Sequence, residues 1–407
     1  MASPDRRSPG LPMAVVLGCS QLINWGVSIY MLGAFGPAMG ADLGWSAQQV
    51  SAGLSVAMLV MGFVSPLTGA LVERFGGRRV LSVGTLLSAL GCLLLACCPL
   101  SLTGYYLIWA LLGVGMRLSL YDALFATLAG LFGEQARVTM VRITLLGGLS
   151  SAVFWPLGHA LQEVDGWRNG LLAYAALCVV SAGLLRILPS GVAVPKIEMT
   201  NLHAPSEPPA SSLKRWLFGL SVTLVGVLSA GLSPQLPDLL ASLGAPISLV
   251  ALWGIGQTCA RLMQSLLGRS TAALSLNLWV GLGLPLCFAM GLASQGRVLL
   301  AALLVFAYGA LNGLSTLLRA SLPFELFAPA QYARLTGKLV APAFMLSAFA
   351  PWCFAAVRES SGDRAVLWLA LCIGLGSLLV AVALNVAGGL RHVQQQQGAS
   401  RAARPIA

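Results

Sequence analysis

The chain has 407 residues, of which 57% are hydrophobic and only 9% charged, with a formal net charge of +11 and a mean hydropathy of +0.84. So few charges and so much apolar surface exclude a soluble globular domain and leave lipid as the solvent. The basic excess is dispersed over loops and tails without a stripe of interleaved aromatics, so it fits membrane topology and not a nucleic-acid partner.

A helix needs about twenty apolar residues to cross a hydrocarbon layer of roughly 30 Å. Residues 1–12 are polar and basic and are predicted to be a cytoplasmic tail, retained because the first apolar stretch is too long and too interrupted by Gly, Asn and Trp for a cleaved signal peptide. Six spans then follow at 13–36, 46–68, 79–98, 103–131, 139–160 and 168–188, forming a bundle over 13–188. The stretch 189–213, with Pro195, Pro205, Pro208 and Pro209, is predicted to be a flexible cytoplasmic linker. Six further spans at 215–236, 247–267, 273–293, 298–319, 336–357 and 364–388 make a second bundle over 214–390. Residues 391–407, including Gln394–Gln397, are predicted to be a disordered cytoplasmic tail. No residue-level repeat relates the halves, so the two-fold organisation rests on hydropathy and linker position.

Short cytoplasmic loops retain Lys and Arg. With both termini cytoplasmic, only Arg168, Arg297, Arg358 and Arg364 fall on the outer side, three of them beside Glu163, Asp165, Glu359 or Asp363 in sequence. The localisation expected is the plasma (bacterial inner) membrane. Arg142, Arg186, Arg319 and Lys338 are predicted to snorkel to the cytoplasmic interface, and His159 to pack at the outer end of its span. The nine Cys lie within spans without ligand spacing and read as small packing residues. With three His in the chain, no metal site and no cofactor are expected. No catalytic cluster supports an enzyme.

Charges inside a bilayer are expensive and commonly functional. Three are deep: Arg117 and Asp122 in the fourth span and Arg261 in the eighth. Five residues apart on an ideal helix, Arg117 and Asp122 stand about 140° apart, so a pair would require the Arg to wrap. They read either as a proton-coupling pair or as a structural one. Gln257, Arg261, Gln264 and Ser265 make one polar stripe that lipid would reject. A guanidinium there offers a planar fork to a substrate carboxylate from a mid-depth aqueous vestibule, the alternative being a structural partner such as a carbonyl or Asp122. Similar stripes occur at Gln21, Asn24 and Ser28 in the first span, at Ser229 and Ser233 in the seventh, and at Tyr308, Asn312, Ser315, Thr316 and Arg319 in the tenth. Tyr121 adds a further polar group beside Asp122 in the fourth. Each stripe alone could serve interhelical hydrogen bonding. The glycines at 113, 115, 147 and 148 are read as permitting close helix approach.

Gly69, Glu73, Arg74, Gly76, Arg78 and Arg79, between the second and third spans, closely resemble the loop signature of the major facilitator superfamily, Gly-x-x-x-Asp-Arg-x-Gly-Arg-Arg/Lys, once Gly77 is allowed as an extra residue. Glu73 replaces the usual Asp, and the loop after the eighth span keeps only Gly268 and Arg269. The resemblance implies an all-α membrane protein of twelve transmembrane helices in two six-helix bundles that rock about a midplane site lined by spans 1, 4, 7 and 10, with the loop as a cytoplasmic gating latch. Within the superfamily the chain looks most like the monocarboxylate transporters and the oxalate/formate antiporters, through Asn24-Trp25-Gly26, Gly44-Trp45-Ser46 and Gly166-Trp167-Arg168. The former group carries Asp-x-x-x-Arg in its eighth helix, and here Gln257 stands in the acid's place and Arg261 in the base's. Lys338 is too near the cytoplasmic end to match the second carboxylate-binding Lys of the latter group. The function expected is secondary active transport of a small organic anion, a carboxylate, by alternating access. Arg261, Gln257, Asn24, Tyr121, Asn312 and Tyr308 would bind it, and Asp122 with Arg117 would couple a proton, a counter-anion being the other possible partner. Lipid is the surrounding partner, and a monomer is expected. Proton-antiport efflux of lipophilic drugs or metabolites is one alternative, and a non-transporting membrane sensor is another.

Overall fold

The computed structural model describes residues 10–132, 135–189, 212–267, 273–326, 343 and 345–402, and among these the regular elements are helices. The chain runs α1 (Leu11–Ser28), α2 (Met31–Leu43), α3 (Ala47–Phe75), α4 (Gly77–Cys97), α5 (Leu102–Ser119), α6 (Tyr121–Phe132), α7 (Ala136–Gly148), α8 (Ser150–Leu184), α9 (Ser212–Leu232), α10 (Leu236–Ser242), α11 (Ala251–Leu267), α12 (Ala273–Leu292), α13 (Val298–Leu326) and α14 (Ala350–Ala402). Nine helical stretches among the described residues are long and apolar enough to cross a membrane. Two of these reverse direction inside one continuous helix, at Gly166 (φ 78°) and Gly362 (φ 80°), where only glycine accommodates the left-handed backbone cheaply. Together with α11, which at 17 residues is a little short of the others, the stretches are consistent with the twelve expected spans, residues 336–342 and 344 of the eleventh lying outside the described residues.

Hydropathy could not reveal where single spans are broken. The first span divides at Ile29 and Tyr30 into α1 and α2, the fourth at Leu120 into α5 and α6, the fifth at Leu149 into α7 and α8, and the seventh at Ser233–Gln235 into α9 and α10. The expected disordered tail instead continues α14 through Gln394–Gln397 to Ala402, a stretch in which Gln, Ala and Arg favour the helix. The linker prolines, Gly268, Arg269 and Lys338 lie outside the described residues, as do the side chains of Ser265 and Arg319.

Helices α1–α8 pack on one another and α9–α14 do likewise, and the halves meet along a seam where α3 faces α14, α8 and α7 face α11, and α2 faces α10. Glycines set that approach. A methyl at Gly254 of α11 would lie 2.6 Å from Ser151 Oγ of α8, and one at Gly33 of α2 would lie 3.0 Å from the Pro234 carbonyl oxygen. At the end of the molecule away from the Gly76 turn, the Gln48 amide donates to Glu359 Oε1 at 3.0 Å, and the Trp352 amide to Ser55 Oγ at 3.3 Å.

Candidate functional site

The fifth span is broken where the eighth span's charge meets it. Helix α7 ends at Gly148, and carbonyls near that end receive donors from outside the helix. Two come from α11, across the seam. Arg261 Nη1 donates to the Thr144 carbonyl at 2.9 Å, and Thr258 Oγ1 donates to the Leu145 carbonyl at 3.3 Å. Arg261 Nη2 donates to Gln257 Oε1 at 3.1 Å, one turn back on its own helix. Gly148 makes room for the guanidinium, since a methyl there would sit 2.7 Å from Nη1.

Arg261 is therefore turned away from lipid and lies between the two bundles, but it is only 7% exposed. The sequence reading of an open aqueous vestibule is corrected: the halves close on the guanidinium, and a backbone carbonyl, the structural partner weighed as an alternative, receives one of its bonds. Two charge-assisted hydrogen bonds of about 1.5–3 kcal/mol each are enough to offset an insertion cost of about 2.5–3.5 kcal/mol, so the charge is tolerable here without a carboxylate.

The partners that remain unmatched define the site's chemistry. Arg261 Nε and the Tyr121 hydroxyl are buried with no hydrogen-bond partner, and Gln257 Nε2 and Ser151 Oγ have none within bonding distance, the Tyr30 hydroxyl being the polar group that faces them. The orientation of the Gln257 amide is settled by chemistry, because Arg only donates and must face the amide oxygen. Tyr121 is placed by Trp25, at 5.2 Å between ring centroids, and by Phe125, stacked at 5.2 Å. Its hydroxyl occupies the space that a methyl on Gly147 would need. The Tyr30 hydroxyl faces Gln257, Ser151 and the charge of Arg261. Its ring contacts Trp155 at 5.1 Å and Trp253 at 5.7 Å, and these two tryptophans, one from each bundle, lie 5.4 Å apart. Their indole N–H groups are likewise buried and unpartnered.

Arg117 and Asp122 do pair, at 2.5 Å. The angular objection disappears because α5 ends at Ser119 and the extended Leu120 (ψ −175°) re-aims the next helix. Arg117 Nη2 also donates to Ser65 Oγ of α3 at 2.6 Å. The Asp122 side chain is 57% exposed, whereas that of Arg117 is 14% exposed. The pair belongs to the N-terminal bundle and no bond joins it to Arg261 among the described residues.

The loop residues surround a one-residue turn. Gly76 has φ 82°, joining α3 to α4, and a methyl on the extra glycine, Gly77, would collide with the Thr127 side chain of α6. Gly69, Glu73, Arg74 and Arg79 are exposed and Arg78 is half-buried. Among the described residues Glu73 has no ion pair.

Other residues singled out by polarity serve contacts within a bundle. Asn24 Oδ1 accepts from Ser181 Oγ at 3.4 Å, and Gln21 Nε2 donates to the Ser119 carbonyl at 2.8 Å where the fourth span breaks. The Tyr308 hydroxyl donates to the Leu228 carbonyl of α9 at 2.9 Å. Asn312 is half-buried beside Gly313, whose hydrogen faces the Gln257 backbone. Sequence reasoning did not single out Tyr30, Ser151, Trp155, Trp253 or the Thr144 carbonyl. The paired glycines at 147 and 148 were the available signal, since they make room for Tyr121 and Arg261.

The Major Facilitator Superfamily description matches residues 17–337. Among curated relatives, "Monocarboxylate transporter 11" of Mus musculus is 29% identical over 327 residues, 76% of this chain and 65% of the relative. Its Homo sapiens namesake is 31% identical over 267 residues, 61% and 55% of the two chains. "Monocarboxylate transporter 13" of Bos taurus is 39% identical over 147 residues, 35% and 34%. The matches thus span less than two thirds of the length of these relatives. A crystal structure of a point mutant of the nucleoside transporter NupG superposes with a TM-score of 0.71 at 14% identity, covering 93% of this chain and 99% of that one. At that identity the likeness bears on the fold alone. With a family match over well more than half its length on a frame of apolar helices in two halves, the chain belongs to the Major Facilitator Superfamily.

Proposed function

We propose that the protein is a secondary active transporter that moves a small organic anion, a carboxylate, by alternating access at the bundle seam. The single observation carrying this reading is the set of buried, unpartnered donors around Arg261: Nε of the guanidinium itself, Gln257 Nε2, the Tyr121 hydroxyl and Ser151 Oγ. A carboxylate accepts from each of these groups, whereas a lipophilic cation offers no acceptor to Arg261 Nε or Gln257 Nε2 and is repelled by the guanidinium charge, which favours anion transport over drug efflux. The names of the relatives point the same way.

Entry requires the bundles to part, and the Thr144 carbonyl is the acceptor that a substrate carboxylate would displace. Asp122, paired with Arg117, is the carboxylate we assign to proton coupling, and the Gly69–Arg79 loop is assigned to gating. Asn24, Tyr308 and Asn312 then support the site from within their bundles. We assign the chain to the plasma (bacterial inner) membrane with both termini cytoplasmic, an orientation that the positive-inside bias supports.

The test is uptake of radiolabelled lactate, pyruvate and benzoate by liposomes containing the purified full chain, with and without an inwardly directed proton gradient, the outside being acidic. Arg261→Ala abolishes gradient-driven uptake of whichever acid the wild type carries, and Asp122→Asn removes the dependence on the gradient. Wild-type uptake rates in Arg261→Ala overturn the reading. Binding without flux in the wild type indicates a sensor.

A further inference from the structure

The unpartnered donors do not end at the polar groups around Arg261. They continue in layers along the seam, and the layers follow from helix periodicity. On α11, Trp253, Gln257 and Arg261 recur every four residues and share a face, and on α8, Ser151 and Trp155 do the same. The lowest layer is the guanidinium with Tyr121. The middle layer is Gln257 with Ser151, and the upper layer is Trp253 with Trp155, 5.4 Å apart. Tyr30 ties them together, its hydroxyl facing the middle layer and its ring lying on both indoles.

The upper layer is chemically odd for a mere plug. Trp155 is fully buried and Trp253 is 2% exposed, yet neither indole N–H has an acceptor. Burying an N–H without a partner costs about 1–3 kcal/mol, so Phe or Leu would seal the seam at lower cost. The buried indole N–H groups of Trp25, Trp109 and Trp167 also lack an acceptor, but Trp155 and Trp253 meet across the seam from opposite bundles, which fits a site in which something presents an acceptor to both. The Trp155 N–H lies against Gly33, where a methyl would be 2.6 Å away, so the small residue keeps that donor uncovered.

Charge limits what the acceptor can be. Arg261 is the cation of this layered cluster, and the next deep one, Arg117, is already matched by Asp122 at 2.5 Å. A second carboxylate at the indole layer would be buried without a counter-charge, whereas a neutral carbonyl or ether oxygen would be satisfied by an N–H. Arg side chains lean toward the helix N-terminus, and the Nη2 bond to Gln257 at 3.1 Å shows this one doing so. The guanidinium therefore lies about one to two helical turns from the indole layer, roughly 6–10 Å.

Resting on the anion-carrier reading above, we infer that the substrate is a monocarboxylate with a flat body and an uncharged oxygen acceptor at the end remote from its carboxylate. The carboxylate docks on Arg261 and Tyr121, the body lies against Tyr30, and the distal acceptor takes the indole N–H groups. Short acids such as lactate would fill only the lower layers, and dicarboxylates would be rejected by the upper one.

Three para-substituted benzoates of similar shape separate these possibilities: 4-acetylbenzoate, 4-isopropylbenzoate and terephthalate. Binding to the detergent-solubilised full chain is measured by titration calorimetry. The expected order is 4-acetylbenzoate tighter than 4-isopropylbenzoate by about tenfold, the worth of one satisfied hydrogen bond, with terephthalate weaker than 4-acetylbenzoate by at least about as much. Trp253→Phe keeps a ring but removes one N–H, and it brings the first two ligands toward equal affinity while binding of 4-isopropylbenzoate is retained. Trp155→Phe is the second variant, should the first fail to fold. Equal or reversed affinities for the acetyl and isopropyl compounds, a preference for terephthalate, or an unchanged ratio in both folded Phe variants overturns the inference. If Arg261→Gln abolishes binding of all three while the wild type treats them alike, only this inference falls. If none binds the wild type while lactate or pyruvate is taken up, only this inference falls; if none binds and no acid is taken up, both it and the carboxylate-carrier reading fall.

Discussion

Around Arg261 two glycines are asked for different things, and the difference is measurable. A methyl on Gly148 meets the tip of the guanidinium at 2.7 Å, whereas a methyl on Gly313 meets the Gln257 backbone, with its carbonyl oxygen at 2.6 Å and its Cα at 2.8 Å. A side-chain tip can swing aside cheaply, but packed backbones cannot. Gly148→Ala should therefore leave the thermal midpoint close to wild type while lowering uptake about tenfold, the equivalent of about 1.4 kcal/mol of misplaced binding energy. Gly313→Ala should lower the midpoint itself. Gly183, whose added methyl would meet open space, is the neutral control, and comparable midpoints for the substitutions at 148 and 313 would contradict the assignment. At this scale the sequence was legible where a charge stood out. Arg261, Gln257 and Tyr121 were identified because polarity within an apolar span is conspicuous. Trp155, Trp253 and Ser151 were not, because an indole or a serine in a span is ordinary until its hydrogen-bond partner is sought in three dimensions. The stripe at Gln21, Asn24 and Ser28 shows the converse: its polarity is used by Ser119 and Ser181 inside one bundle.

Among elements, the relation between the halves is written in breaks and reversals and not in residue identity. The first and seventh spans divide at Ile29–Tyr30 and Ser233–Gln235. The fifth breaks at Leu149, and Phe349, a turn residue just before α14, stands at the corresponding place in the eleventh. Left-handed glycines close the first and seventh spans at Gly44 and Gly244 and reverse the chain at Gly166 and Gly362. Hydropathy could locate the spans because a twenty-residue apolar window survives any substitution of one apolar residue for another. It could not locate the breaks, because a break such as Leu120 is set by what receives the freed carbonyls. Polar groups that hold such junctions should behave as structural groups. Tyr308→Phe, which loses the bond to the Leu228 carbonyl, is expected to cost about 0.5–1.5 kcal/mol of stability in denaturation while uptake per folded molecule is retained. A selective loss of uptake would instead place Tyr308 at the substrate. For the Arg117–Asp122 clasp, Arg117→Leu alone should destabilise more than Arg117→Leu combined with Asp122→Leu, since the single change leaves a carboxylate without its counter-charge.

For the molecule as a whole, the bonds across the seam imply which end must open. Away from the Gly76 turn, the bundles are tied by Gln48 to Glu359 and by Ser55 to Trp352, beneath which Trp155 and Trp253 meet. Toward the other end the tie is Arg261 and Thr258 plugged into the carbonyls of the broken fifth span. Packed interfaces of this kind have discrete arrangements, so on the proposed carrier reading alternating access would exchange one set of ties for another, the Arg261 bond to Thr144 among them. Glu359 and Gln48 lie on different bundles, with the Gln48 amide 3.0 Å from the Glu359 carboxylate. Cysteines at these two positions, in a background with the native cysteines replaced by serine, should be joined readily by a short bifunctional thiol reagent. The joined protein should lose uptake, because the end it locks can no longer part, and should regain it when a cleavable linker is reduced. Either single-cysteine variant should keep its uptake under the same treatment. Full uptake by quantitatively cross-linked protein would mean that this end does not move in the transport cycle, and rocking of the two halves about Arg261 would have to be abandoned.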